Sequence, residues 1–319
     1  MNLESIRKNI YHSYNEEYLK KILIDFHNQT LDTNNFNIEN RIINKVLNNF
    51  FEDLIYKAKS KNGRYSPKEI IENDELLETA LNYINEHKSF YQQKSIEANL
   101  RDFFFSSSMV GKVTNFNPVI ARKIYEKYLP YENATIFDYS CGFGSRMLGA
   151  LSSQYNYHYI GVDPYEELYQ RLLIFYKWIN STLNNNAIAE LYNIGSEQFI
   201  PKLEEKIDLS FSSPPYFNYE IYTNCNTQSY IRYNNYNCWL ENYVKRTLEN
   251  IYKYTKTNGL HLVNLEDTKR IKLLNDWLDI STQVGFKLEE IETLSTRKRF
   301  SNKNSNKLLV MRKNNAHNC

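Results

Sequence analysis

The stretch Asp138-Tyr139-Ser140-Cys141-Gly142-Phe143-Gly144-Ser145-Arg146 decides how this chain is read. A short apolar run, Ala134 to Asp138, precedes it and reads as a strand. Ser145 to Ser153 continues it as a helix. Gly142 and Gly144 allow a tight turn and a close backbone approach to a ligand, and a helix beginning near Ser145 turns its unpaired N–H groups towards that ligand. A second strand, His158 to Asp163, ends in an acid 19 residues after Gly144. A carboxylate at that point suits hydrogen bonds to ribose hydroxyls. The chain has nine glycines, and five of them, Gly142, Gly144, Gly149, Gly161 and Gly195, fall in this region. Position 147 is Met, so the Gly-x-Gly-x-x-Gly of dinucleotide enzymes is absent and an NAD site is not expected.

Downstream the alternation continues. Glu166 to Leu183 is an amphipathic helix, and Ala187 to Tyr192 and Ile207 to Ser212 read as strands. Cys238 to Tyr254 reads as a helix, Leu260 to Leu265 as a strand and Ile271 to Val284 as a helix. Phe286 to Leu294 and Lys307 to Lys313 would close as an antiparallel pair. This order predicts a doubly wound α/β domain with a mostly parallel sheet over residues 106–319. Upstream, residues 1–105 read as a separate helical domain. Helical spacing recurs in Tyr18, Ile22, Leu23 and Phe26, and again from Ile42 to Leu54. Ser66-Pro67-Lys68-Glu69 carries a capping box.

The strand Ile207 to Ser212 runs into Ser213-Pro214-Pro215-Tyr216-Phe217. Ligands of open α/β sheets sit at the carboxyl ends of strands. Two adjacent prolines stiffen this loop and remove two N–H donors. What remains are acceptors, the Ser213 hydroxyl and the backbone carbonyls. They suit an amine, whose two N–H groups they can hold while its lone pair faces an electrophile. Tyr216 can stack on a flat ring through its ring rather than its hydroxyl.

Together, Asp138-x-x-x-Gly142-Phe143-Gly144 and Ser213-Pro214-Pro215-Tyr216 resemble the amino-methyltransferase family, whose DNA members modify N6 of adenine or N4 of cytosine. The resemblance covers roughly residues 114 to 313 and implies a Rossmann-like fold and S-adenosylmethionine (SAM) as cofactor. It implies cofactor contacts from Asp138, Ser140, Gly142, Phe143, Gly144 and Asp163. Phe116 and Asn117 match a motif that holds the methionine part, and Ser196 and Glu197 match the segment that lines the adenine. Ser213, Pro214, Pro215 and Tyr216 would be catalytic, with Ser213 and the Pro214 carbonyl accepting the amine hydrogens. DNA is the partner this implies. Alternatives are an N-methyltransferase acting on RNA, a protein amide or a small molecule, and a binding module that keeps the fold without turnover.

Two further segments are candidates for target contact. The polar, aromatic run 217–237 offers Phe217, Glu220, Gln228 and Arg232. The tail from Thr293 has seven Lys or Arg and no acid, including Arg297, Lys298 and Arg299. Net charge is only +2, so bulk charge does not announce a nucleic-acid binder. The 15% aromatic content reads mostly as core packing and A/T-rich codon usage. Four cysteines without a Cys-x-x-Cys pair and six scattered histidines predict neither a disulfide framework nor a metal. No 18-residue apolar stretch or secretory signal is present, so a cytoplasmic protein with no membrane association is expected.

Overall fold

A computed structural model describes residues 2–38, 41–61, 63–267, 271–294 and 306–314. Nine strands occur among them: β1 (Lys59–Ser60), β2 (Thr135–Asp138), β3 (His158–Val162), β4 (Ile188–Tyr192), β5 (Ile207–Ser212), β6 (Glu220–Ile221), β7 (Thr255–Leu265), β8 (Phe286–Leu294) and β9 (Asn306–Lys313). Seven of them form one sheet in the order β4-β3-β2-β5-β7-β9-β8. The first five in that order run parallel. β9 lies antiparallel between β7 and β8. The chain winds outward from β2 to β4, then returns across β2 to lay down β5 and β7. The crevice therefore opens at the carboxyl ends of β2 and β5, where the winding reverses. This is the predicted α/β doubly wound, Rossmann-like architecture.

The helices are α1 (Leu3–Asn9), α2 (Glu16–Asn28), α3 (Asn44–Lys57), α4 (Pro67–Glu72), α5 (Asp74–Glu86), α6 (Ile96–Ser106), α7 (Pro118–Tyr128), α8 (Ser145–Leu151), α9 (Glu166–Leu183), α10 (Ser229–Arg232), α11 (Tyr236–Trp239), α12 (Arg246–Tyr254) and α13 (Leu273–Val284). A π-helical turn, Leu240–Lys245, joins α11 to α12 inside the single helix expected from Cys238 to Tyr254. Asparagine and serine side chains cap many of these helices. At α4, Ser66 and Glu69 form the predicted capping box.

Side chains alternate across the sheet, so each strand feeds two cores. Ile136, Leu262 and Val310 face one side, with α2, α3, α7, α8 and α9. Phe137, Val263 and Met311 face the other, with the π turn, α12 and α13. Ile22, Leu23, Phe26, Val46, Leu47 and Phe51 of α2 and α3 belong to the first sheet core. A smaller third cluster holds α1, α4, α5 and α6 together. The boundary read near residue 105 thus does not separate two cores, because the apolar stripes of α2 and α3 are buried against the sheet domain. The two-stranded pairing of β1 with β6 adds a second link, with Lys59 opposite Ile221 and Ser60 opposite Glu220.

Candidate functional site

A cavity of about 630 Å³ opens at the winding reversal, within the range of small-molecule sites. Its wall contains both predicted motifs. Ser140, Gly142, Phe143 and Asp163 line one part, with Gly195, Ser196 and Glu197 from the loop after β4. Ser213, Pro214, Pro215 and Tyr216 line another.

On the first part, Gly142 has φ +53, and a Cβ there would meet nothing closer than the Ser140 carbonyl oxygen at 3.9 Å. The turn thus presents bare backbone to open space. The Asp163 carboxylate accepts from the Gly142 N–H at 3.1 Å and the Tyr165 N–H at 3.0 Å. Two N–H bonds leave acceptor capacity on its oxygens. Burial pushes this carboxyl up to about 6, against the pull of those two N–H groups. Ser140 Oγ meets the Tyr243 hydroxyl at 3.1 Å. Tyr243 sits in the π turn and lines the cavity. The extra residue of a π turn re-aims side chains, and such turns recur at functional sites.

Several predicted ligand contacts are redirected. Asp138 is fully buried and does not line the cavity. Its oxygens accept from Arg146 Nε at 2.8 Å, Arg146 Nη2 at 3.2 Å, the Tyr159 hydroxyl at 2.7 Å and the Ser140 N–H at 3.3 Å. Those donors saturate it, so it braces the loop from behind. Gly144, at φ +71, faces the core: a Cβ would lie 3.0–3.2 Å from Leu172, Phe175 and Phe51. Its glycine is required by packing and backbone conformation, not by approach to a ligand. Asn117 spends its side chain capping α7, accepting from the Val119 and Ile120 N–H groups. Phe116 packs edge-on to Phe211 at 5.5 Å. Neither Phe116 nor Asn117 lines the cavity, whereas Thr114 and Asn115 just before them do. Asn115 Nδ2 donates to the Phe143 carbonyl at 3.2 Å and its Oδ1 accepts from Ser145 Oγ at 3.1 Å.

The target candidates also divide. Glu220 and Gln228 line the cavity. Gln228 Oε1 accepts from the Tyr222 and Thr223 N–H groups at 3.2 and 3.1 Å, which folds the loop around it. Phe217, at φ +53, points away and packs at 5.7 Å from Trp239 in the second core. Arg232 is not in the wall; it pairs with Glu197 at 2.6 Å and so orients a wall residue. Arg297, Lys298 and Arg299 lie outside the described residues.

Two groups in the wall were missed by sequence reasoning. Asn264 and Glu266 stand at the carboxyl end of β7, a place the strand-end rule could have flagged. Ser60, the run Phe105 to Ser108, Val110 and Lys112 come from the N-terminal third. No motif signals them, since tertiary links such as the β1–β6 pairing and the Ser60 N–H to Gly111 carbonyl bond at 2.8 Å bring them there. Among the described residues, His261 of β7 is a fully buried histidine, and it is held neutral. Burial depresses it to about 3, and its ring nitrogens meet Ser210 Oγ at 2.9 Å and Trp277 Nε1 at 3.4 Å. Among the described residues, no group of three metal-ligating side chains converges, and no helix is long and apolar enough to cross a membrane.

No protein-family model matches the chain, and no curated protein matches it. Solved structures similar to it include a methyltransferase from Pyrococcus furiosus, at 17% identity over 62% of this chain and 83% of that one, with a TM-score of 0.42. A TehB-like SAM-dependent methyltransferase from Corynebacterium glutamicum is similar at 14% identity over 74% of this chain and 99% of that one, TM-score 0.41. The [4+2]-cyclase SpnF is similar at 10% identity over 62% of this chain and 81% of that one, TM-score 0.45.

Proposed function

We propose that this chain is a SAM-dependent methyltransferase acting on an exocyclic amino group of a DNA base, adenine N6 or cytosine N4. The observation that carries the reading is that the Gly142 turn, Asp163 and the Ser213–Tyr216 loop, 50 residues apart from Asp163 to Ser213, share one cavity. The wall fits the cofactor. Asp163 would accept from the ribose hydroxyls, the bare backbone at Gly142 leaves room for the amino-acid part, and Ser196 and Glu197 would flank the adenine. When bound, SAM supplies a methyl group already activated on a sulfonium.

The chain's own residues then hold the nucleophile. Ser213 Oγ and the Pro214 carbonyl accept the two amine hydrogens, and Tyr216 stacks on the ring beside them. Fixing both hydrogens aims the nitrogen lone pair, so rate comes from positioning and electrostatics. Arg297, Lys298 and Arg299 would contact DNA phosphates.

One observation favours a second reading. Among the described residues, Asp163, Glu197, Glu220 and Glu266 line the cavity with Lys112 and Arg146; Arg146 is paired with Asp138 and Glu197 with Arg232. Burial raises both Glu220 and Glu266. A wall rich in acceptors suits a small amine as well as a base edge. The deciding experiment incubates the purified chain with methyl-labelled SAM and duplex DNA, single-stranded DNA or small amines. Label in N6-methyladenine or N4-methylcytosine is expected. Label confined to a small amine would keep the chemistry and replace the target.

A further inference from the structure

Asn264 is the least exposed polar residue at the reacting end of the cavity, at 2%. β7 delivers it beside β5, where Val263 pairs with Ser212, so it stands next to Ser213. Its Nδ2 donates to Ser213 Oγ at 3.1 Å. Its backbone carbonyl accepts from the Tyr216 hydroxyl at 3.4 Å. The Ser213 side chain in turn touches the Tyr216 phenol and pulls its ionisation down, against the larger upward push of burial. Asn264 thus holds two residues of the loop, Ser213 through its side chain and Tyr216 through its backbone. Asn264 Oδ1, by contrast, is buried with no partner.

An orphaned buried acceptor disfavours the fold. An apolar residue of the same shape would leave no such orphan, so stability does not account for an amide here. Orientation of Ser213 does. A serine hydroxyl has one hydrogen and two lone pairs. With one lone pair taken by the Asn264 amide, the hydrogen is confined to the remaining positions and the other lone pair is available to the target. Without Asn264 the hydroxyl can rotate and present its hydrogen to an amine hydrogen, donor against donor.

We propose that Asn264 is a positioning residue of the transfer reaction, holding Ser213 as an acceptor for the target amino group. This rests on the amino-methyl transfer reading above. The test is a double-mutant cycle with Asn264→Leu, Ser213→Ala and both, in the full chain. Methyl transfer is followed on duplex and single-stranded oligodeoxynucleotides, on adenosine and cytidine, and on spermidine. SAM affinity and thermal midpoint are measured in parallel.

Asn264→Leu is expected to lower kcat about 10- to 100-fold, with SAM affinity within about twofold and the thermal midpoint unchanged or higher. Added to Ser213→Ala, it should cost nothing further, because it acts only through that hydroxyl. Near-wild-type kcat, losses that multiply in the double variant, or a midpoint that falls with activity would each overturn the proposal. If the leucine variant does not fold, Asn264→Ala carries the same cycle. Wild-type transfer to spermidine but not to DNA would reject the DNA target and leave the cycle to be run on the amine. Transfer to none of the probes rejects both.

Discussion

On the proposed reading, with Asp163 at the ribose, this carboxylate would tie cofactor binding to pH. Removing it in Asp163→Ala is expected to weaken SAM binding by ~1.5–3 kcal/mol, the loss of a hydrogen bond to a charged group. Because the carboxyl sits near 6, the ribose loses its charged acceptor as pH falls from 7 to 5, and affinity should fall with it. Stability of the unliganded chain moves the other way. A carboxyl raised above its ordinary 3.8 binds its proton more tightly when folded, so its charge disfavours the fold at neutral pH. That penalty is relieved as pH drops through about 6 towards 4. Calorimetric titration across pH 5 to 8 checks the binding trend; a flat profile would remove Asp163 from the ribose. Ser213→Ala is expected to lower turnover ~10²–10³-fold, by analogy with deleting one positioned group at a reacting centre. Single-turnover transfer at saturating SAM reads it directly. Tyr216→Ala should weaken target capture by ~1–3 kcal/mol of stacking. The sequence alone predicts that Tyr216→Phe is nearly silent. The hydroxyl's place beside Ser213 and the Asn264 carbonyl changes that expectation to a loss of about 10-fold in kcat with KM preserved.

Elements supply what single residues lean on. The Gly142–Gly144 turn rests on α3 and α9, because Phe51 and Phe175 meet edge-on at 5.1 Å directly behind Gly144. Gly144→Val therefore acts as a stability variant. It combines a left-handed φ with overpacking, and overpacking alone costs ~1–3 kcal/mol. Chemical denaturation should show a lower midpoint in the absence of SAM; a variant of normal stability that fails only in SAM binding would contradict this. Near β1, a Cβ on Gly111 would sit 2.2 Å from the Ser60 carbonyl oxygen, a backbone atom that cannot swing aside. Gly111→Ala is expected to loosen the link from residues 59–61 to the loop after Ser213–Tyr216. Hydrogen exchange at Lys61, whose N–H donates to the Tyr219 carbonyl at 2.9 Å, should speed up while the β2–β3 ladder stays protected.

At the scale of the whole molecule, the N-terminal third is structural to the sheet and also part of the cavity wall. Phe51, Leu23 and Val46 are fully buried in the first sheet core. Deleting residues 1–105 strips that face, and truncating a single buried Phe already costs ~3–5 kcal/mol. The truncated chain is expected not to fold, as read by loss of a cooperative thermal transition; a stable 106–319 fragment that binds SAM would show the third to be dispensable. A milder change separates its two roles. Phe105 is 48% exposed and lines the cavity beside Ser106 to Ser108. Phe105→Ala should leave stability and SAM affinity alone and raise KM for the target several-fold, if this wall faces the target.

The sequence by itself determined the sheet and placed the Ser213–Tyr216 loop at the cavity. Period-2 and period-3.6 patterns are local, and so are Gly142, Asp163 and Ser213–Tyr216, each placed at a strand end where local rules already put ligands. It did not determine which polar residue of a motif faces the ligand. Asp138 and Asp163 are both strand-end acids, and only the fold turns one into a saturated brace against Arg146 and leaves the other open to the cavity. Phe116 and Asn117 directly follow the wall residues Thr114 and Asn115, and Arg232 meets the site through its pairing with Glu197. Asn264, Tyr243 and the N-terminal wall come from segments about 30 to 150 residues from Ser213 and reach it through the tertiary fold. Contacts of that kind depend on which strands become neighbours and which face a side chain takes, and those are settled by packing of the whole chain, not by any local pattern.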